Sequence, residues 1–338
     1  MSTRARAGVA ALAGCAALLA AAPALADYRP SLVVSSSTSA YRASGTTTIR
    51  IAQADGDEPT ALVDVRVPAG FGMNLSQPLG SVIGSADAQA KRESDGAELH
   101  LTGTIQVDDP ERYTVEAAAC TGEQVHDAVW LVTLGAIRVP VFVDGPPVGR
   151  LRLCLPEPAA PGFGVRLLRT ALSLNGVFSN PRAKGEYRWG GIFTPHGGAG
   201  PVQSQTIVRL PPRLTLRRKV IVIRRSGRVR QAYVRLTGVV STGGTGVRGV
   251  RVEVLSGPAP GLLTRLGFTT SFARGRFTLV TRLSARTVFQ ARVAAAARDA
   301  PTGQCVPLAA DPAIPCVSVF LSSFGTVSKR ITVRRPAR

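Results

Sequence analysis

Several residue types and patterns are scarce in this 338-residue chain, and each scarcity excludes something. Aromatic residues make up 5% of it, and histidines number three. It carries no RNP-like aromatic motif, helical reader or zinc finger, so sequence-specific recognition of nucleic acid is not expected. With three histidines and no Cys-x-x-Cys spacing there is no zinc-ligand pattern, and no cofactor is implied. The Gly-x-Ser-x-Gly turn that presents a hydrolase nucleophile is absent. Beyond the N-terminal segment no apolar run reaches the ~18 residues that a membrane-spanning helix needs. Lysine is nearly missing, with 4 residues against 37 arginines, and after position 207 the acidic residues dwindle to Glu253, Asp299 and Asp311.

What is present argues for a folded chain. Apolar residues are 45% of the whole, too many for an intrinsically disordered sequence, and the length favours two domains. Residues 1–26 read as a signal peptide: Arg4 and Arg6 precede an Ala/Leu-rich run that ends in the small-x-small site Ala24-Leu25-Ala26. The competing reading is a lipobox at Leu12-Ala13-Gly14-Cys15, with Cys15 acylated, although the apolar run continues past that cysteine. Either way the chain is expected outside the cytoplasm, secreted or in the cell envelope, with no transmembrane segment in its mature form. Four cysteines then remain, Cys120, Cys154, Cys305 and Cys316, and an exported chain with an even number is expected to oxidise them. The wide gap between the second and third favours Cys120 with Cys154 and Cys305 with Cys316. On the chain-entropy account these loops contribute ~4 and ~3 kcal/mol.

Apolar and polar residues alternate with a period of two along the mature chain, as in Thr46 to Ala54, Leu99 to Val107, Ala232 to Val240 and Phe289 to Val293. Gly, Pro, Asp and Asn clusters bound these stretches, and no segment sustains a helical period with caps. The expectation is an all-β protein of two antiparallel β-sandwich domains. Charge places the boundary. Residues 27–207 hold 15 basic and 18 acidic side chains, whereas residues 208–338 hold 24 and 3. A near-neutral sandwich over 27–207 is therefore expected to precede a strongly basic one over 208–338.

The second half resembles bacterial Ig-like and carboxypeptidase-regulatory-like β-sandwich domains. The resemblance covers roughly residues 230–295 and rests on Leu236-x-Gly238-x-Val240, a Gly-rich turn, Val250-x-Val252-x-Val254, Gly275-Arg276-Phe277 and Thr287-x-Phe289-x-Ala291. It implies an Ig-like fold and a non-catalytic spacer, adhesive or ligand-binding role.

Most other constellations read as structural. His196-Gly197-Gly198 is a turn, His126-Asp127 a solvated loop pair and His100 a surface strand residue. Asp55-Gly56-Asp57-Glu58 fails the Ca²⁺-loop spacing and reads, like Asp108-Asp109-Pro110, as a hairpin loop. Trp130 sits in a nearly continuous apolar strand and belongs in the core. Tyr187 and Trp189 share one strand face and are the candidates for a sugar-stacking platform.

The arginines of the second half carry the functional expectation. Arg217, Arg218, Lys219, Arg224 and Arg225 bracket an apolar strand, and Arg228 and Arg230 share one face. By alternation Arg235, Arg251, Arg276, Arg282 and Arg292 project from the outer faces of the sandwich. Such a field attracts an anionic extracellular polymer or envelope surface. The expected function is a non-catalytic envelope or extracellular module. The alternatives are a structural spacer or surface-layer component without a ligand, and a secreted hydrolase with an unusual site in the first domain.

Overall fold

The computed structural model describes residues 28–336, apart from 148, 211, 227, 243 and 309–313. The proposed signal peptide, its cleavage site and Cys15 lie outside the described residues. The protein is all-β. Its first twelve strands are β1 (Ser31–Ser36), β2 (Ser44–Ala52), β3 (Thr60–Arg66), β4 (Gly72–Met73), β5 (Val82–Arg92), β6 (Glu98–Asp108), β7 (Ala128–Leu134), β8 (Ile137–Asp144), β9 (Arg150–Cys154), β10 (Val165–Ser179), β11 (Gly185–Pro195) and β12 (Val202–Leu210). They pair in the order β1-β2-β10-β5-β6-β7-β8-β9-β3-β11-β12, with β4 against β10.

This sheet curls until its first strand meets its eleventh, and polar side chains rather than a backbone ladder join them. Ser204 Oγ accepts from Leu32 N at 2.8 Å and Thr206 Oγ1 from Val34 N at 3.1 Å, while Thr206 Oγ1 donates to Leu32 O at 2.7 Å. The alternate residues of β12 serve its other side. Gln203 Nε2 donates to Ile314 O at 3.2 Å, and Gln205 bonds both backbone groups of Val306. Gln203, Ser204, Gln205 and Thr206 are all buried, a polar run that stays inside because each member is paired. Both tryptophans and several of the chain's few other rings fill this curled sheet. Phe71 and Phe178 pack edge-on against Trp189 at 5.1 and 5.2 Å, and Trp130 meets Phe178 at 6.4 Å.

The remaining strands are β13 (Pro212–Leu214), β14 (Arg217–Arg225), β15 (Arg228–Thr242), β16 (Thr245–Gly246), β17 (Arg251–Gly257), β18 (Thr264–Thr270), β19 (Arg276–Arg282), β20 (Thr287–Val293), β21 (Ala296–Ala300), β22 (Cys316–Ser323), β23 (Thr326–Val327) and β24 (Ile331–Val333). Strand β15 pairs with β13, β14, β16 and β19. Facing it is a sheet in the order β18-β17-β20, with β23 and β24 on β20. The inward residues Val234, Leu236 and Phe277 of one sheet and Val252, Val254, Phe289 and Ala291 of the other make two small adjoining cores. Gly238 sits where a side chain would overlap both the Phe277 ring and the Thr215 carbonyl.

Sheet membership departs from a simple division at 207/208. That point falls inside β12, and β21 and β22 leave the basic sandwich to extend the large sheet. Strand β22 runs parallel to β12, and β21 pairs outside it. Phe324, just after β22, is buried 6.2 Å from Phe71. The reason is the edge of β12, whose backbone and glutamines need partners that Val306, Ile314 and β22 supply.

Both expected cysteine pairs are formed, with Cα–Cα distances of 5.9 Å for Cys120–Cys154 and 6.3 Å for Cys305–Cys316. One short helix departs from the expectation that no segment carries a helical period with caps. Asp108-Asp109-Pro110 is no hairpin loop. Asp109 caps a 3₁₀ turn over Pro110–Tyr113 by accepting from Glu111 N at 3.1 Å, and the turn leads into α1 (Thr114–Thr121), which Gly122 ends in the left-handed conformation.

Candidate functional site

Strands β14, β15 and β19 present a three-stranded outer face whose register fixes its chemistry. Arg217 lies opposite Thr237, and Thr237 opposite Thr278. In the next row Lys219 faces Arg235, which faces Val280. In the row after, Ile221 faces Tyr233, which faces Arg282. Arg276 closes the end beside Val239. The five cations Arg217, Lys219, Arg235, Arg276 and Arg282 are exposed, and among the described residues none has a carboxylate partner. Like charges directly opposite each other destabilise a sheet, so the placement of Lys219 against Arg235 works against folding. Thr237, Thr278 and Tyr233 interleave neutral hydroxyls. Such a face can hold a run of phosphate or carboxylate groups by charge-assisted hydrogen bonds.

The other predicted arginines go elsewhere. Arg218 is exposed but alternates toward the inner side of β14, opposite Leu236, and Arg224 follows an irregularity in the β14–β15 ladder. Arg225, Arg228 and Arg230 lie around the turn that joins these strands, with Arg225 opposite Arg228. Arg251 and Arg292 belong to the opposite sheet, so one ligand on the first face does not reach them. Arg292 is also engaged, donating from Nε and Nη2 to Glu253 Oε2 at 2.9 and 2.6 Å. The Arg251 guanidinium stacks 4.0 Å over the Phe268 ring.

In the large sheet several expectations are corrected. His126 and Asp127 are not a solvated pair. His126 is buried, with Nδ1 2.7 Å from Asp144 Oδ1 and Nε2 3.0 Å from Thr121 Oγ1. Asp127 instead accepts from Gly145 N at 2.6 Å. Arg152, also buried, donates from Nη2 to Asp144 at 2.6 Å and to Glu123 at 2.8 Å, and from Nη1 to the Thr121 carbonyl at 3.3 Å. Burial works against an ionised Asp144, but its bonds to His126 and Arg152 prevail and hold its pKa below the ordinary value. Glu123, His126 and Asp144 bring potential metal-ligand atoms within 4.8 Å of one another, yet the Arg152 guanidinium already bonds both carboxylates. The Thr121–His126–Asp144 line has the order of a hydrolase triad. Thr121 Oγ1, however, is tied to Ala117 O at 2.9 Å and accepts from Glu123 N at 3.1 Å. With Cys120–Cys154 beside it, the cluster is a clamp that fixes the end of α1 to β8 and β9.

Trp189 is fully buried, so no sugar-stacking platform forms with Tyr187. Trp130 is core, as expected. His100 is an exposed residue 2.7 Å from Asp87, and His196 Nε2 meets the Leu155 carbonyl at 3.0 Å. Asp57 is buried and holds its own turn by accepting from Ala54 N at 3.0 Å. A small apolar recess of about 40 Å³ lies within the curled sheet and is lined by Ile51, Val63, Leu134, Leu153 and Leu167 among others. The β10 register shift between Leu167 and Arg169 lies at its rim.

No protein-family model and no curated protein matches the chain. Among solved structures, it is similar to the full-length major pilin SpaD from Corynebacterium diphtheriae, at 12% identity and a TM-score of 0.27, over 89% of this chain and 67% of that one. Domains D2 and D3 of the same pilin align at 12% identity and 0.24, over 83% and 85%. A structure titled BspA_C_mut aligns at 10% identity and 0.24, over 91% and 98%.

Proposed function

We propose that this is an exported, non-catalytic protein of the cell envelope or extracellular space whose basic β-sandwich contacts an anionic polymer or surface. The observation that carries this reading is the outer face of β14, β15 and β19, where Lys219 stands opposite Arg235 and, among the described residues, neither is paired with a carboxylate. A fold that needed only stability would place an acid at one of these positions, as it does at Glu253 beside Arg292. The two disulfides agree with an oxidising location.

The test is retention of the purified protein on an immobilised polyanion, such as inorganic polyphosphate, across a salt series. Counterion release predicts that log affinity falls linearly with log salt, by roughly 0.7–0.9 per phosphate contacted. Affinity that is absent at low salt, or flat across the series, leaves the spacer reading in its place.

A further inference from the structure

Strand β18 is an edge strand that exposes Leu266 and Phe268 among the polar residues Thr264, Arg265 and Thr270. Phe268 and Phe272 are 58% and 50% exposed, and they share one side of an extended segment whose alternate residue Ser271 is buried. Leu266, at an irregularity in the β17–β18 ladder, and Leu262, in the preceding turn, are exposed as well. These four side chains thus cluster along one stretch of chain, Leu262 to Phe272, with the exposed Thr264, Arg265 and Thr270 between them. Arginines flank that stretch. Arg251 stacks on Phe268, Arg265 lies within β18, and Arg274 and Arg276 follow Phe272, all of them exposed. Thr269 Oγ1 donates to the Thr278 carbonyl at 3.1 Å, which sets β18 beside β19, a strand of the basic face. Glu253, the acid nearest the stretch, is neutralised by Arg292.

From this arrangement we infer that the β18 margin docks on an anionic lipid bilayer, with Leu262, Leu266, Phe268 and Phe272 entering the headgroup–acyl boundary and the flanking arginines pairing with lipid phosphates. The inference rests on the anionic-surface reading and names the surface. A soluble polyanion would use the arginines but leave the leucines exposed, because an aliphatic side chain has no π-face for a base or sugar to stack on. A bilayer buries apolar side chains and pairs cations at one plane.

The experiment uses the purified protein in three binding arms: phosphatidylcholine vesicles, vesicles with added phosphatidylglycerol, and soluble polyphosphate. Wild type is expected to bind the phosphatidylglycerol vesicles and not the neutral ones. F268S/F272S is expected to lose roughly ten-fold or more in vesicle affinity, as two half-exposed rings stay in water, while its polyphosphate binding is unchanged. Both rings are exposed, so the variant folds, and an unchanged unfolding midpoint confirms it. The N-terminal segment is common to both proteins and cancels in the comparison. In F268W the indole emission shifts to the blue when phosphatidylglycerol vesicles are added. Equal vesicle binding by wild type and F268S/F272S, or no shift in F268W, overturns the lipid assignment. If polyphosphate binding persists in that case, the anionic-surface reading survives alone. If neither vesicles nor polyphosphate are bound, both fall.

Discussion

Replacing Arg152 with Met keeps the length and most of the volume of the stem but removes a guanidinium that is 4% exposed. The loss divides unequally. Glu123 is 53% exposed and recovers water, so its share is small. Asp144 is 22% exposed and keeps only its bond to His126, and the Thr121 carbonyl loses its donor. Breaking a buried pair at one end costs about 3–5 kcal/mol, and partial access to water at Asp144 places this case near 3. For a chain of 338 residues that is roughly 4–5 °C in Tm. Urea unfolding followed by the fluorescence of Trp130 and Trp189, both buried in the same curled sheet, measures it. The double variant D144N/R152M should be more stable than the sum of the two single losses by about 1 kcal/mol or more. The pH dependence has a defined sign. The folded pKa of Asp144 is depressed, so its stabilisation is present above the unfolded value and is lost as pH falls through the folded one. R152M shrinks that depression and flattens the acid limb. A cost below about 1 kcal/mol, or strict additivity in the cycle, refutes the clamp.

Two further predictions concern the same sheet. Burial, with the charges of Asp57 and Glu58 adding to it, pushes the Tyr28 phenol up to about 12 even though its bond to Thr60 opposes the shift. The stability this represents is complete below the unfolded tyrosine pKa and is lost as pH rises toward 12, so the alkaline unfolding limb should be shallower in Tyr28→Phe. Ser204→Ala or Thr206→Val leaves a buried backbone N–H of β1 without its acceptor, at a cost of about 1–3 kcal/mol each. Hydrogen exchange at Leu32 and Val34 should accelerate selectively, and uniform acceleration across the sheet would contradict the seam.

Period-two alternation was enough to reveal the strands and the outward aim of Arg235, Arg251, Arg276 and Arg282, because side-chain direction in a strand is a local property. Which strands are neighbours is not local. The pairing of Lys219 with Arg235, and the separation of Arg251 and Arg292 onto another sheet, depend on register across loops. The same limit hid the clamp, since Asp144 lies 18 positions from His126 and on another strand. Helix α1 is short and Ala-rich, with little apolar periodicity to betray it, but its signals were present in Asp109-Pro110 at the start and Gly122 at the end. The Gln203–Thr206 run gave no sign of burial because polar residues in alternation imitate a solvated strand. Only the demand of two sheet edges for partners places them inside. The charge boundary near residue 207 was legible, while the return of 296–323 to the large sheet was not, because those strands have the same alternation as their neighbours.

On the proposed reading the Lys219–Arg235 juxtaposition is held against its own repulsion for the sake of an anionic partner. Lys219→Glu tests it in a single protein. The substitution turns a repulsive cross-strand pair into an attractive one, and the unfolding free energy should rise by about 1 kcal/mol. Affinity for polyphosphate should fall several-fold, with a shallower salt dependence. A variant that is both more stable and a weaker binder is the predicted result. Unchanged polyphosphate affinity, or a loss of stability, would mean that the Lys219–Arg235 pair serves no anionic partner.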